Sequence, residues 1–390
     1  MTFPPTDPPK FDLVGLRTWI DEHRQQMIQD LRGYVSHETP STDRDLLSAG
    51  LDWLRDWLDQ SMGKPASDRT VDGGGHGDTA IQHYPGAGER SITLLCHYDT
   101  VWPAGTLTDW PFAIDGDTAT GPGIFDMKAG LVQAVWALRA LDASGLDRPT
   151  VHLILNGDEE IGSPASRPVI EETSAASDAT LVFEPSAGGA IKTTRKGISI
   201  YHLDAHGVAA HAGLDPEKGA SAITEVLHAS QAVLDLADPG AGTTINVGTL
   251  SGGTRTNVIA EHARAGIDVR AATVTEAERV DRAIHALTPH NDRVKLTIEG
   301  GVNRPVMERT SAIADMYQLA HTLAARMNLD LPEAAAGGGS DGNFAAVQAL
   351  PVLDGFGAVG AGAHASGEHI SLDGMAERAT LAAAVLHALV

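Results

Sequence analysis

One cysteine, Cys96, is all that the 390 residues contain, so no disulfide can form within the chain. Long apolar runs are missing too: no window of about 18 apolar residues occurs, which excludes a membrane-spanning helix. The opening stretch MTFPPTDPPKFDLVGL has no basic segment followed by an apolar one, the pattern of a secretory leader. Positive charge is scarce. With 28 Lys+Arg against 51 Asp+Glu the formal net charge is −23, which repels nucleic acids and anionic membranes alike. No GxGxxG follows an early strand, so a dinucleotide-binding protein is excluded as well. What these absences leave is a globular protein, expected in the cytoplasm.

What is present is a long alternation of elements. A chain of this length exceeds one ordinary core and implies two domains, or one domain carrying an insertion. Amphipathic spacing predicts helices near 11–33 and 44–60, and the apolar run SITLLCHYD (91–99) predicts a buried strand. MKAGLVQAVWALRAL (127–141) reads as a helix of good helix formers. TVHLILN (150–156) and ATLVFE (179–184) read as further strands with a helix between them. Strand–helix–strand order implies an α/β fold, a mostly parallel sheet flanked by helices. Beyond residue 190 the order becomes strand (196–206), helix (219–237), strand (243–250), strand (262–272), helix (275–288), strand (293–300). That is a ferredoxin-like βαββαβ unit. The expected organisation is an α/β domain of 1–190 and 304–390, into which residues 191–303 are inserted.

The ends of the predicted parallel strands carry an unusual set of side chains. LLCHYDTV delivers His97 and Asp99, TATGPGIFDMKAG delivers Asp126, NGDEEIGS delivers Asp158, Glu159 and Glu160, and TLVFEPS delivers Glu184. Open α/β sheets build their sites at this rim. Each group has an ordinary explanation when taken alone: Asp126 as a helix cap, Asp99 as a turn former, His97 as a hydrogen-bonded surface histidine. Gathered on one rim, so many carboxylates would have to protonate unless a cation neutralised them. Imidazole nitrogen with carboxylate oxygen suits zinc, manganese or cobalt better than calcium, and a pair of ions bridged by one carboxylate is the usual hydrolytic arrangement.

HYDTVWPAGTL, GPGIFDMKAG, NGDEEIGS, FEPS, GGGSDGN and GAHASGEHIS, in this order from about residue 90 to 370, resemble the M20 metallopeptidases, above all their glutamate carboxypeptidase branch. The resemblance implies two divalent ions, zinc first, with manganese or cobalt as alternatives. His97 would bind one ion and His364 the other, Asp126 would bridge them, and Glu160 and Glu184 would complete the set; His369 is the alternative to His364. Glu159 would be the general base and Asp99 would orient the imidazole of His97. The peptide bond following Asp126 is expected to be cis.

The same resemblance implies a homodimer in which the inserted domain is both lid and dimerisation surface. His211 would reach the site of the partner subunit and stabilise an oxyanion. Arg270 would grip a substrate carboxylate, with Arg264 and Arg255 as alternatives, while Asn257, Gly339 and Ser340 would line the substrate. Glu184, where the aminopeptidase branch commonly has aspartate, points to carboxypeptidases and deacylases. The implied reaction releases a C-terminal amino acid, glutamate or a relative, from an N-acyl amino acid or short peptide. Two other readings remain: a small-acyl deacylase of the acetylornithine or succinyl-diaminopimelate type, and a non-catalytic metal-binding homologue.

Overall fold

The computed structural model describes residues 8–348 and 350–390. Its contacts divide into two units, one formed by the chain up to Thr194 with Arg309–Ala336 and Ser340–Val390, the other by Arg195–Glu308 with Gly337–Gly339.

The first unit is built on an eight-stranded sheet in the order Ser67–Val71, Thr79–Tyr84, Thr150–Asn156, Ser91–His97, Ala179–Val182, Val352–Asp354, Ile191–Arg195, Glu333–Ala336. The four central strands, from Thr150–Asn156 to Val352–Asp354, run parallel to one another, and antiparallel strands flank them. Burial on both faces explains why these central segments are apolar runs rather than alternating ones. Ser91–His97 lies between Thr150–Asn156 and Ala179–Val182, so the connections after it depart to opposite sides. A crevice opens where such a reversal occurs, at the carboxyl end of the strand, which here is His97.

Helices cover this sheet. Ala129–Ser144 and Leu372–Ala388 pack on each other and are buried almost all round; their many alanines allow close approach. Arg44–Met62 is amphipathic, with Leu47, Leu51, Leu54 and Leu58 inward and an Asp43 carboxylate accepting from the amide of Leu46. The segment expected to be a single helix at 11–33 is two, Leu13–Glu22 and Arg24–Val35, interrupted at His23. The strands Ser67–Val71 and Thr79–Tyr84 were not anticipated, because the first is an exposed polar edge without an apolar signature.

The second unit is a four-stranded antiparallel sheet in the order Thr244–Gly252, His262–Ala271, Gly197–His206, Lys295–Arg304. Helices Ala222–Leu234 and Val274–His285 pack on one face, capped by Ser221 and Thr273. Tyr201, Leu203, Ala205, Ala263, Ala265, Ile267 and Val269 form its core with Val226, Val233, Val280 and Ile284. Every second residue of Gly197–His206 is buried, so Asp204 and His206 fall on the opposite face. Sheet order and connectivity are those of a ferredoxin-like βαββαβ unit.

Candidate metal centre

The site is assembled where five chain segments meet at the carboxyl edge of the parallel strands. His97 ends its strand fully buried, and its Nδ1 lies 3.0 Å from the backbone oxygen of Asp99. That contact leaves Nε2 facing Asp126 Oδ1 at 3.2 Å and Glu184 Oε1 at 3.4 Å. The other oxygen of Asp126 lies 3.4 Å from His364 Nε2, which is also 3.0 Å from Glu160 Oε2. Two groups of potential ligands result, His97–Asp126–Glu184 and Asp126–Glu160–His364, and they share one aspartate.

Local structure explains the placement of each carboxylate. Asp99 is completely buried and accepts hydrogen bonds from the amides of Glu159 and Glu160, both at 3.1 Å, and from the Ser41 hydroxyl at 2.8 Å. Its carboxylate therefore clasps the acidic turn, while its backbone oxygen, nearer than its carboxylate (3.5 Å), meets the His97 ring. Asp158, first of the three acids, is a capping group: it accepts from the Ser166 hydroxyl at 2.5 Å and from the amides of Ala165 and Ser166. Glu159 is buried beside His97 and its charge favours protonation of that ring. The peptide bond Asp126–Met127 is cis. His364 sits at a positive φ of 61°, in the small-residue run GAGAHASG.

Glu368 was not anticipated. It is fully buried, and four N–H groups converge on it: Trp102 Nε1 (2.8 Å) and the amide of Gly123 (3.1 Å) on Oε2, the amides of Phe125 (2.7 Å) and Asp126 (3.0 Å) on Oε1. It thus fixes the backbone that presents Asp126. Gly123 in this loop has φ of +71°, and a Cβ there would stand 2.6 Å from Thr100 Cγ2. The signal in the sequence was slight, a single acid four residues beyond His364 in a loop rich in small residues.

Electrostatics agree with a cation-binding role. Burial raises the pKa of Asp126, but hydrogen bonds with His364 and His97 outweigh it and hold the carboxyl well below the usual range. Burial opposes protonation of His97, yet Asp126, Asp99 and Glu184 hold its pKa well above the ordinary histidine value. Hydrogen bonds with Asp126 and Glu160 push His364 up to about 10. Burial pushes Glu160 up, and its Oε1 is a buried oxygen with no hydrogen-bond partner. An orphaned buried carboxylate oxygen is costly unless a cation meets it. The donors, two imidazole nitrogens with carboxylate oxygens, fit zinc or a similar divalent ion.

The remaining expected residues divide between the units. His369, the alternative ligand, is turned to the backbone oxygen of Gly367 (2.8 Å) and belongs to neither ligand group. Ser340 is completely buried in the first unit; its hydroxyl donates to Asp354 at 2.6 Å and accepts from the amide of Gly342. Its neighbour Asp341 takes the Asn156 amide and the Ser163 hydroxyl. The structure thus gives Ser340 a supporting position under the loop. Gly339, Asn257, Arg270 and His211 belong to the second unit. Asn257 is exposed and its backbone oxygen accepts from Ala212, which brings it beside His211. Nδ1 of His211 accepts from the amides of Gly213 and Leu214, both at 3.1 Å. Arg270 already holds Asp268 in a two-pronged pair, 2.7 and 2.9 Å. Cys96 is buried, and burial raises its thiol far above the usual range, so it is chemically quiet.

A parallel-sheet crevice carrying two histidine–carboxylate groups joined by one aspartate defines a metal-dependent hydrolase of the α/β class. Family comparison agrees, and the chain belongs to peptidase family M20/M25/M40, whose description matches residues 93–388. Carboxypeptidase G2 of Pseudomonas sp. (strain RS-16) is 29% identical over 394 residues, covering 97% of this chain and 92% of that protein. The fold is shared with aminopeptidase PepT of Bacillus cereus at a TM-score of 0.80 and 22% identity, over 94% of this chain and 98% of that one. It is shared also with the M20 metallo-carboxypeptidase Sso-CP2 of Sulfolobus solfataricus, at 0.69 and 14% over 93% and 99%. The protein is a hydrolase. Among the described residues no helix is long and apolar enough to cross a membrane.

Proposed function

We propose that this hydrolase cleaves an amide bond to release a C-terminal amino acid, glutamate or a similar residue, from an N-acyl amino acid or short peptide. The observation that carries the proposal is the pair of ligand groups sharing Asp126, with the buried, unpartnered Oε1 of Glu160 beside them. The substrate class rests on the near full-length similarity to carboxypeptidase G2. His97, Asp126 and Glu184 would hold one ion and Asp126, Glu160 and His364 the second, zinc before manganese or cobalt. When bound, such a pair polarises a carbonyl and acidifies water.

The chain supplies the rest. Glu159 takes the proton of the attacking water and returns it to the leaving amine nitrogen. It is well suited because the Asp99 clasp fixes its backbone amide while the adjacent Glu160 faces His364. His211 donates to the developing oxyanion: two backbone amides donate to Nδ1, so the neutral ring carries its proton on exposed Nε2. In a homodimer this role would fall to His211 of the partner subunit, with residues 191–303 as lid and dimerisation domain. Asn257 and Gly339 would contact substrate, while the buried Ser340 would support the loop beside Gly339. Arg270 would bind the substrate carboxylate by exchanging it for Asp268. A cytoplasmic location completes the proposal.

The test is an amino-acid release assay on a panel of N-acylated amino acids with zinc, manganese or cobalt, using Glu159→Gln as control. Release of glutamate or a relative by wild type, with a silent variant that still binds metal, is the expected result. Turnover confined to small-acyl substrates would replace the proposal with the deacylase reading. Metal binding without turnover of any substrate would replace it with a non-catalytic one.

A further inference from the structure

The exposed face of the sheet in the second unit carries a cluster that the hydrolytic reaction does not use. Alternation along Gly197–His206 sends Leu203 and Ala205 into the core and turns Asp204 and His206 outward. The antiparallel register then sets His262 directly opposite His206 and Arg264 opposite Asp204. Nε2 of His206 lies 3.1 Å from Asp204 Oδ1, and Nε2 of His262 lies 3.0 Å from the same oxygen. The two rings stand 4.7 Å apart, tilted by 52°.

We propose that Asp204, His206 and His262 form an additional binding site for one zinc-type divalent cation, distinct from the candidate metal centre. Three potential ligand atoms lie within 4.8 Å of one another, one from each side chain. Two imidazoles aimed at one carboxylate oxygen are the arrangement a shared cation satisfies, and two nitrogens with one oxygen suit zinc, copper, nickel or cobalt rather than calcium or magnesium. The alternative is a pair of ordinary histidine–aspartate hydrogen bonds on a wet surface, which the test below separates. Arg264 Nε approaches the other oxygen, Oδ2, at 3.8 Å and so helps orient the carboxylate. All three ligands stand on paired strands over a packed core, so little ordering is required on binding. Lys295, in register with His206 on its other flank, is exposed.

The position suggests a purpose. His206 is the last residue of its strand and His262 the first of the neighbouring one, so a cation there clips together a strand pair at the end where it would fray. Binding requires neutral imidazoles and is therefore coupled to proton release.

The experiment is equilibrium dialysis of the full chain against Zn²⁺ followed by metal analysis. Four proteins are compared: wild type, His206→Gln/His262→Gln, His97→Ala/His364→Ala, and the four-fold variant that combines both pairs of substitutions. The double glutamine variant, altered only at exposed positions, is expected to bind one equivalent fewer than wild type with unchanged hydrolytic activity. The variant lacking His97 and His364 is expected to keep one equivalent, which the four-fold variant loses. Equal zinc content in wild type and the double glutamine variant would overturn the proposal. As a second readout, Zn²⁺ should raise the melting temperature of His97→Ala/His364→Ala but not of the four-fold variant; equal shifts would also overturn it. The comparison is a difference between variants, so it stands whatever the outcome of the amino-acid release assay.

Discussion

Replacing Glu368 by glutamine keeps the shape of the side chain and removes half of its accepting capacity. In the native structure each carboxylate oxygen takes two N–H groups: Oε1 those of Phe125 and Asp126, Oε2 those of Trp102 and Gly123. Glutamine can serve one of these pairs with its amide oxygen; its NH₂ then faces the other pair, leaving two buried donors unmet. At about 1–3 kcal/mol for each unsatisfied group the gross cost is about 2–6 kcal/mol. Part is returned, because burial already pushes the Glu368 carboxyl above its usual range and a neutral amide is easier to bury. A net loss of about 2–3 kcal/mol for the 121–128 loop is expected, equivalent to roughly 30- to 150-fold faster amide exchange. Hydrogen exchange by mass spectrometry on the peptide carrying Gly123, Phe125 and Asp126 reads this directly. Because these amides position Asp126, zinc affinity should fall by about 10- to 100-fold, the usual cost of losing an outer support. Unchanged exchange in that peptide together with unchanged zinc affinity would refute the claim that Glu368 holds the loop.

Other substitutions separate the remaining roles. Glu159→Gln is expected to lower kcat by about 10²- to 10⁴-fold with metal content intact, whereas Glu160→Gln should lower metal content itself; metal analysis alongside kinetics tells them apart. Ser340→Ala removes the hydroxyl that meets Asp354 and Gly342 and should cost about 1–3 kcal/mol of stability in denaturant melts with little change in KM; a raised KM at unchanged stability would instead place the hydroxyl on substrate. In metal-free protein, His364 is raised from the free-histidine value of about 6.5 to about 10, so it binds a proton more tightly folded than unfolded. Its contribution is fully present below about pH 6.5 and lost as pH rises through about 10. The side chain is half exposed, so the effect is modest. Melts of chelated protein between pH 6 and 10 should show this loss, and His364→Ala should flatten it; an equal slope in both would contradict the assignment.

Much of this was legible in the chain itself. Apolar runs at 91–97, 150–156 and 179–182 are strands because burial on both faces demands continuous hydrophobicity, and their ends present His97, Asp158–Glu160 and Glu184. The βαββαβ order beyond residue 190 followed from alternating periodicities. Where that signal was absent the reading was short: the polar edge strand Ser67–Val71 has no apolar face, and the break at His23 has neither glycine nor proline to mark it.

Periodicity is local, so the sequence by itself determined the helices and strands that carry an apolar pattern, and it placed acids and a histidine at the ends of the strands. What each polar side chain does depends on what folding brings against it, and that only the tertiary structure decided. Three consecutive acids separate into a cap held by Ser166, a buried carboxylate beside His97 and a partner of His364 because the turn is clasped by Asp99. His364 rather than His369 faces Asp126 because the GAGAHASG loop turns it there at positive φ. Glu368 meets amides from a loop distant in the chain, and His206 meets His262 only through the register of two strands. A hydrogen bond or a ligand set is a relation between segments, fixed by packing and by the requirement that buried polar groups find partners.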